Sequence, residues 1–312
     1  MTANGRVPWL DGRAAVDLGT ARIRLAGPGR RTIVDEPSAV PGCPRPIRHG
    51  LVADAAACSR LVSRVLGGAP GDVLPDHGPG ALPAGALPAG AMSDGAMSDG
   101  AMSDGAMSDG AMSDCAMSDC ALPGGVMSGG GGGVFRLVVV GVPVSASPAE
   151  RATVTGIVAR AAGCPVTAVE EPLAAALGSG LDVTDPRPRL LVDVGAGIVE
   201  AVVISDAAIT DAVAVQLPDG GHGVLPGHVQ DRITDLAAEL LRRLPARSRP
   251  AARERGLTLT GGGAAHAGLA GRLCSRLGLT VSLATDPAHA TVRGLARLCL
   301  PPMAALAAPP TA

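Results

Sequence analysis

Aromatic residues are almost absent from this chain of 312 residues, which has one Trp, one Phe and no Tyr. Single-stranded nucleic acid is commonly bound by stacking its bases on aromatic side chains, so the sequence offers little for that class of ligand. A strong charge of one sign is also missing, since the formal net charge is −2. Six Asp residues of one repetitive segment supply −6 of that total, which leaves a weakly basic +4 on the rest. We therefore expect no nucleic-acid partner.

Paired cysteines and long apolar runs are missing as well. The seven Cys residues are scattered, form no C-x-x-C pair and have no His cluster nearby. This pattern is typical of reduced thiols in a cytoplasm rather than of a zinc site or a disulfide framework. No signal peptide is visible, and no apolar run approaches the roughly 18 residues of a membrane-spanning helix. The sequence therefore predicts a cytoplasmic protein.

A segment of low complexity occupies residues 78–133. It repeats the units A-L-P-A-G, A-M-S-D-G and A-M-S-D-C and ends in a run of glycines. A five-residue period matches neither helix nor strand, and frequent Gly and Pro disfavour a packed core, so we expect a disordered insert. An expanded surface loop is the simplest interpretation. A Met-rich tether, or a redox role for Cys115 and Cys120, is the alternative.

Outside this insert, the apolar pattern predicts alternating strands and helices. Capping and turn signals place helices from Ser147 to Gly163 and from Glu171-Pro172 onward. The remaining predicted elements are a helix at 51–66, strands at 135–142, 190–194, 198–205, 209–217, 257–260 and 279–284, one helix at 229–244, a helix opened by Gly263 with His266 on its surface, and a helix after Pro287. This order predicts a duplicated α/β fold with a ligand in the cleft between its halves.

Three glycine-bearing turns are the most informative local features. Two of them read as strand, acidic turn and strand, at Val16–Thr20 and at Val192–Gly197, and the third is Thr260-Gly261-Gly262-Gly263. Small residues let backbone N–H groups approach an anion, and an adjacent Asp can hold a metal ion through water. Two such turns facing each other would bind the polyphosphate of a nucleotide.

A family resemblance rests on five segments that occur in order. They are D-L-G-T-A at 17–21, D-E-P-S-A-V at 35–40, G-L-V-A-D at 50–54, E-E-P-L-A-A-A at 170–176 and L-T-G-G-G at 259–263. Together they resemble the bacterial actin homologues MreB and Mbl. The resemblance implies an actin-like (ribonuclease H-like) fold of two lobes. The first lobe would comprise residues 12–77 and 134–186, interrupted by the insert at 78–133, and the second lobe would comprise residues 187–300. Residues 1–11 and 301–312 would be flexible tails.

The same resemblance implies a site for ATP and Mg²⁺. Asp17 and Asp193 would order the hydration shell of the Mg²⁺ ion, and Glu171 would orient the attacking water. The implied nucleotide-binding positions are Gly19, Thr20, Ala21 and Arg22 in the first turn, Gly195, Ala196 and Gly197 in the second, and Gly261, Gly262, Gly263 and Ala264 below the adenosine.

Departures from the family pattern weaken the implied activity. Arg22 and Ile23 stand where the first phosphate loop of the family has Asn and Thr. In the second phosphate loop, Ile198 and Val199 stand where the family has two Thr. Two lost hydroxyl donors would weaken phosphate binding by on the order of 10²–10⁴. Both outer subdomains of the family also look reduced or missing, because the stretches 40–46 and 217–256 are too short to hold them.

The favoured hypothesis is therefore a degenerate scaffold with weak or no ATP turnover, acting in cell-shape or cell-wall morphogenesis. It would join filaments of a complete MreB/Mbl-type paralogue and the wall-synthesis machinery, at the inner face of the membrane. Peripheral membrane contact is expected to be altered, since the repeats replace a connection that often inserts into membranes in this family. A polymerising Mg-ATP-dependent ATPase is the first alternative, and a small-molecule kinase of the same superfamily is the second.

Overall fold

Twelve strands and seven helices make up the described part of the chain. The structure, a computed structural model, describes residues 12–28, 33–67, 135–218 and 225–300, all within one compact unit. The strands are β1 (Arg13–Leu18), β2 (Arg22–Ala26), β3 (Val34–Pro37), β4 (Ile47–Arg48), β5 (Leu51–Val52), β6 (Leu137–Val142), β7 (Val166–Glu170), β8 (Arg189–Val194), β9 (Ile198–Ser205), β10 (Ala208–Gln216), β11 (Leu257–Thr260) and β12 (Val281–Leu283). The helices are α1 (Ala55–Gly67), α2 (Pro148–Ala162), α3 (Glu171–Gly178), α4 (Gly227–Arg243), α5 (Arg249–Arg255), α6 (Leu269–Leu277) and α7 (Ala290–Leu298), with a short 3-10 turn at Pro287–His289.

Two five-stranded sheets with the same topology form the framework. The first sheet has the order β3-β2-β1-β6-β7 and the second the order β10-β9-β8-β11-β12. In each sheet, three consecutive strands form an antiparallel meander. The first of these strands also pairs in parallel with a fourth strand, and the fourth pairs in parallel with the fifth. The predicted duplicated α/β fold is therefore confirmed.

Helices cover both faces of the first sheet, which explains its continuous apolar strands. Along β6, Val138 and Val140 pack with α1 and α2, whereas Val139 packs on the opposite face with α3 and α7. Alternation of side chains along a strand sends neighbours to opposite faces, and both are apolar here because both faces are buried. The second sheet is likewise covered by α4 and α6 on one face and by α3 on the other.

Helix α7 returns from the second half of the chain to the first sheet. Val292 and Leu295 pack against Ala15 and Val139. Its contact with α3 is close enough that a Cβ on Gly294 would overlap the carbonyl of Ala174. The two halves of the sequence are therefore joined by a tight helix pair.

Several predicted boundaries were wrong. Helix α1 begins at Ala55 rather than Leu51, because Asp54 Oδ1 accepts a hydrogen bond from Ala57 N (2.8 Å) and Leu51–Val52 pairs with Ile47–Arg48. The stretch before β11 holds a second helix, α5, which was not predicted. Helix α6 begins at Leu269, several residues after Gly263. The capping box of Ser147 and Glu150 is confirmed.

The outer regions of both halves are small. Between β3 and α1 the structure has only the two-stranded hairpin β4–β5. Between β10 and β11 it has α4 and α5, with 219–224 outside the described residues. The repeats at 78–133 with Cys115 and Cys120, and the tails 1–11 and 301–312, also lie outside them. The proposed domain boundaries stay a prediction.

Two findings bear on the environment of the chain. Within the described ranges, no helix combines the length and the apolar character needed to cross a bilayer. The five cysteines in those ranges are all free thiols.

Candidate functional site

The first two glycine turns have equivalent geometry. A Cβ on Gly19 would lie 2.8 Å from the carbonyl oxygen of Arg22, and a Cβ on Gly195 would lie 2.8 Å from that of Ile198. Each glycine therefore lets the chain reverse tightly between two antiparallel strands, β1–β2 in one sheet and β8–β9 in the other. The third turn packs on the second: Gly263 N donates to the carbonyl of Val194 (2.9 Å), and Gly261 has φ +87°.

All three turns line one cleft, with a cavity volume of about 430 Å³. Such a volume lies in the range of small-molecule and cofactor sites. The predicted positions that line it are Asp17, Gly19, Thr20, Ala21, Arg22, Glu171, Asp193, Gly195, Ala196, Gly197, Gly261, Gly262 and Gly263. Ala264 does not line it: its side chain is 2% exposed and packs in the core of the second half.

The first and second turns touch each other through the β4–β5 hairpin. The Nδ1 of His49 donates to the carbonyl oxygen of Gly197 (2.7 Å). The adjacent Gly50 N donates to Thr20 Oγ1 (2.9 Å). In this bond the Thr20 hydroxyl is the acceptor, so its own proton remains available to donate to another group.

Four carboxyl groups are buried at the floor of the cleft or beside it: Asp17, Glu171, Asp193 and Glu200. Burial is the main cause that raises the pKa of each one, to about 6 for Asp193 and about 8 for Glu200. The pKa of Glu171 is raised further by the charges of Asp17 and Glu200. Its Oε1 has no hydrogen-bond partner among the described residues.

The carboxyl side chain of Glu171 packs closely on Gly141 in β6. A Cβ on Gly141 would lie 3.1 Å from Glu171 Cγ, so one of the two side chains would have to shift slightly. Asp193 is held by a hydrogen bond, which its Oδ1 accepts from the hydroxyl of Thr260 on β11 (2.9 Å).

Arg24 is the main site residue that the sequence analysis missed. Its side chain is only 12% exposed, lines the cleft, and places NH1 3.1 Å from Asp17 Oδ2. The strand register sets Asp17 opposite Arg24 and Arg24 opposite Asp35. The signal was available, since the predicted β1–β2 turn already puts residue 24 across from residue 17.

Arg22, one of the implied nucleotide-binding positions, also forms an ion pair. Its Nε lies 2.5 Å from Asp35 Oδ1, and its NH2 donates to the Asp35 carbonyl (2.7 Å). The side chain is 43% exposed and stays at the edge of the cleft.

The other end of the cleft is apolar and contains a histidine. Leu217, Leu225, Ala265 and His266 line it. His266 lies in the turn before α6, not on the helix surface as predicted, because α6 starts three residues later. Its place beside the glycine turn could not be read from periodicity.

The fit of a Mg²⁺ ion is poor. Asp17 already has Arg24 as its cationic partner, and one oxygen of Asp193 is taken by Thr260. In the part of the chain that the structure describes, no three His, Cys, Asp or Glu side chains are grouped to hold a metal ion. An ion shared by Asp17 and Asp193 would therefore have to compete with Arg24. The assigned roles of both aspartates, and of Glu171, stay predictions.

Comparison with known proteins finds sequence similarity over part of the chain. The family model described as MreB/Mbl protein matches residues 101–222. The cell shape-determining protein MreB of Escherichia coli (strain K12) and that of Salmonella typhimurium (strain LT2) are each 36% identical over 80 residues, 26% of this chain. Over these stretches the chain is similar in sequence to MreB/Mbl proteins. The match spans only 23% of the length of these curated relatives.

Solved structures establish the fold over a longer range. MreB 5 of Spiroplasma citri bound to AMPPNP has a TM-score of 0.62 and 15% identity, covering 90% of this chain and 94% of that one. The MamK double helical filament has a TM-score of 0.60 and 14% identity, covering 93% and 100%. At these identities the likeness concerns the fold alone, and the predicted actin-like fold is confirmed.

Proposed function

We propose that this protein is an MreB-like scaffold that binds a nucleoside polyphosphate such as ATP in its cleft but turns it over weakly or not at all. The observation that carries the proposal is the meeting of three glycine turns around one cleft of about 430 Å³. Backbone groups at such turns can bind phosphate whatever the side chains are. MreB5 of Spiroplasma citri, which has the same fold, was solved with AMPPNP and with ADP.

Weak turnover is supported by the state of Glu171. A general base must be ionised, and burial together with neighbouring carboxylates raises the pKa of this carboxyl well above its ordinary value. Ionising this carboxyl where it is buried is therefore costly. The second turn, moreover, offers Ile198 and Val199 where hydroxyl groups would bind the transferred phosphate.

The proposed scaffolding role in cell shape or wall morphogenesis is supported by the partial sequence similarity to MreB and by the small outer regions of both halves. The protein would then be cytoplasmic, at the inner face of the cell membrane, and would join filaments of a complete MreB/Mbl-type paralogue and the wall-synthesis machinery. MamK, a protein of the same fold, forms a double helical filament.

Calorimetric titration with ATP and ADP, paired with phosphate release, tests the nucleotide part. We expect saturable binding and phosphate release at the level of the protein-free blank. No binding at millimolar nucleotide would overturn this part of the proposal. Imaging of a fluorescent fusion in cells with a co-expressed MreB tests the scaffolding part, for which we expect filament-like localisation. A diffuse distribution, together with normal cell shape on deletion of the gene, would contradict it.

An active polymerising ATPase is the second candidate. It is favoured by the unpartnered Oε1 of Glu171 at the cleft, close to Asp17. ATP-dependent sedimentation of the purified protein alone, with phosphate release that rises with protein concentration, would select it over the scaffold.

A further inference from the structure

The cleft holds an internal cation between acidic side chains. Across three neighbouring strands the charges alternate: Asp35 on β3, Arg24 on β2 and Asp17 on β1. Arg24 NH1 lies 3.1 Å from Asp17 Oδ2, and its Nε lies 3.4 Å from Asp35 Oδ2. The second distance is that of an ion pair without hydrogen-bond geometry, so Arg24 Nε has no hydrogen-bond partner among the described residues.

Further contacts fix this row in place. His289 Nε2 lies 3.1 Å from Asp35 Oδ2, and His289 Nδ1 lies 3.0 Å from Asp286 Oδ1. Arg22 pairs with the other oxygen of Asp35. Asp35 is thus held from both halves of the sequence, and Arg24 lies between two carboxylates whose positions are set by the sheet.

A guanidinium held in this way retains donors for a ligand. Arginine carries five N–H donors in a planar fork, and the hydrogen bond to Asp17 uses one of them. The side chain lines the same cleft as Thr20 and Gly197, where the first two turns meet. Guanidinium groups bind phosphate oxygens strongly, often through two parallel hydrogen bonds.

Resting on the proposed function, we propose that Arg24 supplies the positive charge for the phosphates of the bound nucleotide, so that binding depends little on Mg²⁺. This role of Arg24 explains both the poor fit of Mg²⁺ and the presence of a buried guanidinium beside Asp17. Arg24 neutralises Asp17 in the empty cleft and contacts phosphate oxygens in the filled one. The competing interpretation is that Arg24 only neutralises Asp17 and does not reach the ligand.

Isothermal titration with ADP and with AMPPNP, in excess MgCl₂ and in EDTA, separates the two. For the wild-type protein we expect dissociation constants that agree within about threefold between the two conditions. For Arg24→Met we expect binding in EDTA to weaken by about 10–100-fold, the loss of one or two charge-assisted hydrogen bonds. MgCl₂ should restore part of it, because Asp17 is then free to hold the ion through water.

Two further variants make the test independent of folding. Arg24→Met leaves Asp17 buried without a partner, so the double variant Asp17→Asn, Arg24→Met removes both charges and should fold while binding nucleotide as weakly in EDTA as the single variant. Arg243→Met is the matched control, because it removes an arginine paired with Asp211 at 2.7 Å outside the cleft. Its affinities should equal those of the wild type.

The outcomes separate this inference from the proposed function. If the wild type binds nucleotide only with MgCl₂, or if Arg24→Met and the double variant bind like the wild type in EDTA, the role of Arg24 is overturned while nucleotide binding stands. If the wild type binds in neither condition, both proposals fail.

Discussion

The Cβ position of Gly197 lies 2.5 Å from Thr20 Oγ1, so the first and second glycine turns meet at a point where even a methyl group has no room. His49 N is 3.0 Å from the same position. One residue of the second half of the chain thus touches two segments of the first. The relative position of the two turns is set by direct contact and not by a ligand alone.

Gly197→Ala should therefore destabilise the fold by about 1–3 kcal/mol, the usual effect of forcing an extra methyl into a packed site. Urea unfolding followed by circular dichroism measures this as a lower midpoint. Gly262→Ala is the matched control in a glycine turn, since a Cβ there would meet no atom within 4 Å. Equal midpoints for the two variants would show that the turns separate easily.

The sequence was sufficient for much of the fold because the local signals were strong. Ser147 and Glu150 form the predicted capping box, and Gly163 ends that helix in the left-handed conformation. The continuous apolar run of β6 correctly indicated burial on both faces. Leu51 was misassigned because a two-residue strand leaves no periodicity to detect, and Leu51–Val52 has the same apolar character as the helix that follows.

The site was predicted less completely, for a different reason. Glycine turns have a local signature, so the positions predicted from them line the cleft, with Ala264 as the exception. Arg24 and His266 reach the cleft only through strand register and a loop path. A search for motifs does not test strand register or loop path, even where, as for Arg24, the partner lies on the neighbouring strand.

Glu200 should make stability fall as the pH rises. Its pKa is raised from 4.5 to about 8, mainly by burial and then by the charge of Asp193. The folded protein therefore binds this proton more tightly than the unfolded chain, so its contribution is fully present below pH 4.5 and is lost as the pH rises through about 8. Glu200→Gln should remove that loss and stabilise the protein at pH 8.5 by about 1–3 kcal/mol.

Urea midpoints measured from pH 5 to about 9 give the comparison for Glu200. Glu239→Gln, on the exposed face of α4, is the control and should follow the wild-type profile. A Glu200→Gln profile parallel to that of the wild type would mean that this carboxyl is ionised in the folded protein at neutral pH.

The crossing of α3 and α7 should tolerate no larger side chain. A Cβ on Gly294 would overlap the backbone carbonyl of Ala174, and backbone cannot move away as a side chain can. Gly294→Ala is therefore expected to lower stability by about 3 kcal/mol or more, and the soluble yield with it. Gly271→Ala, in α6 with no atom near its Cβ position, should stabilise by up to about 1 kcal/mol. A Gly294→Ala protein as stable as the wild type would show that α7 does not pack on α3 in solution.

Glu171→Gln should increase the stability of the fold. The carboxyl is 7% exposed, its Oε1 lacks a partner among the described residues, and its pKa is raised well above the ordinary value. A neutral amide of the same shape avoids placing a charge beside Asp17 and should stabilise by about 1–2 kcal/mol at pH 8. Urea midpoints, with the exposed Glu254→Gln as control, measure this effect. If Glu171→Gln unfolds at lower urea than the wild type, this side chain makes a contact that the fold needs, and its burial does not reflect a site kept for chemistry.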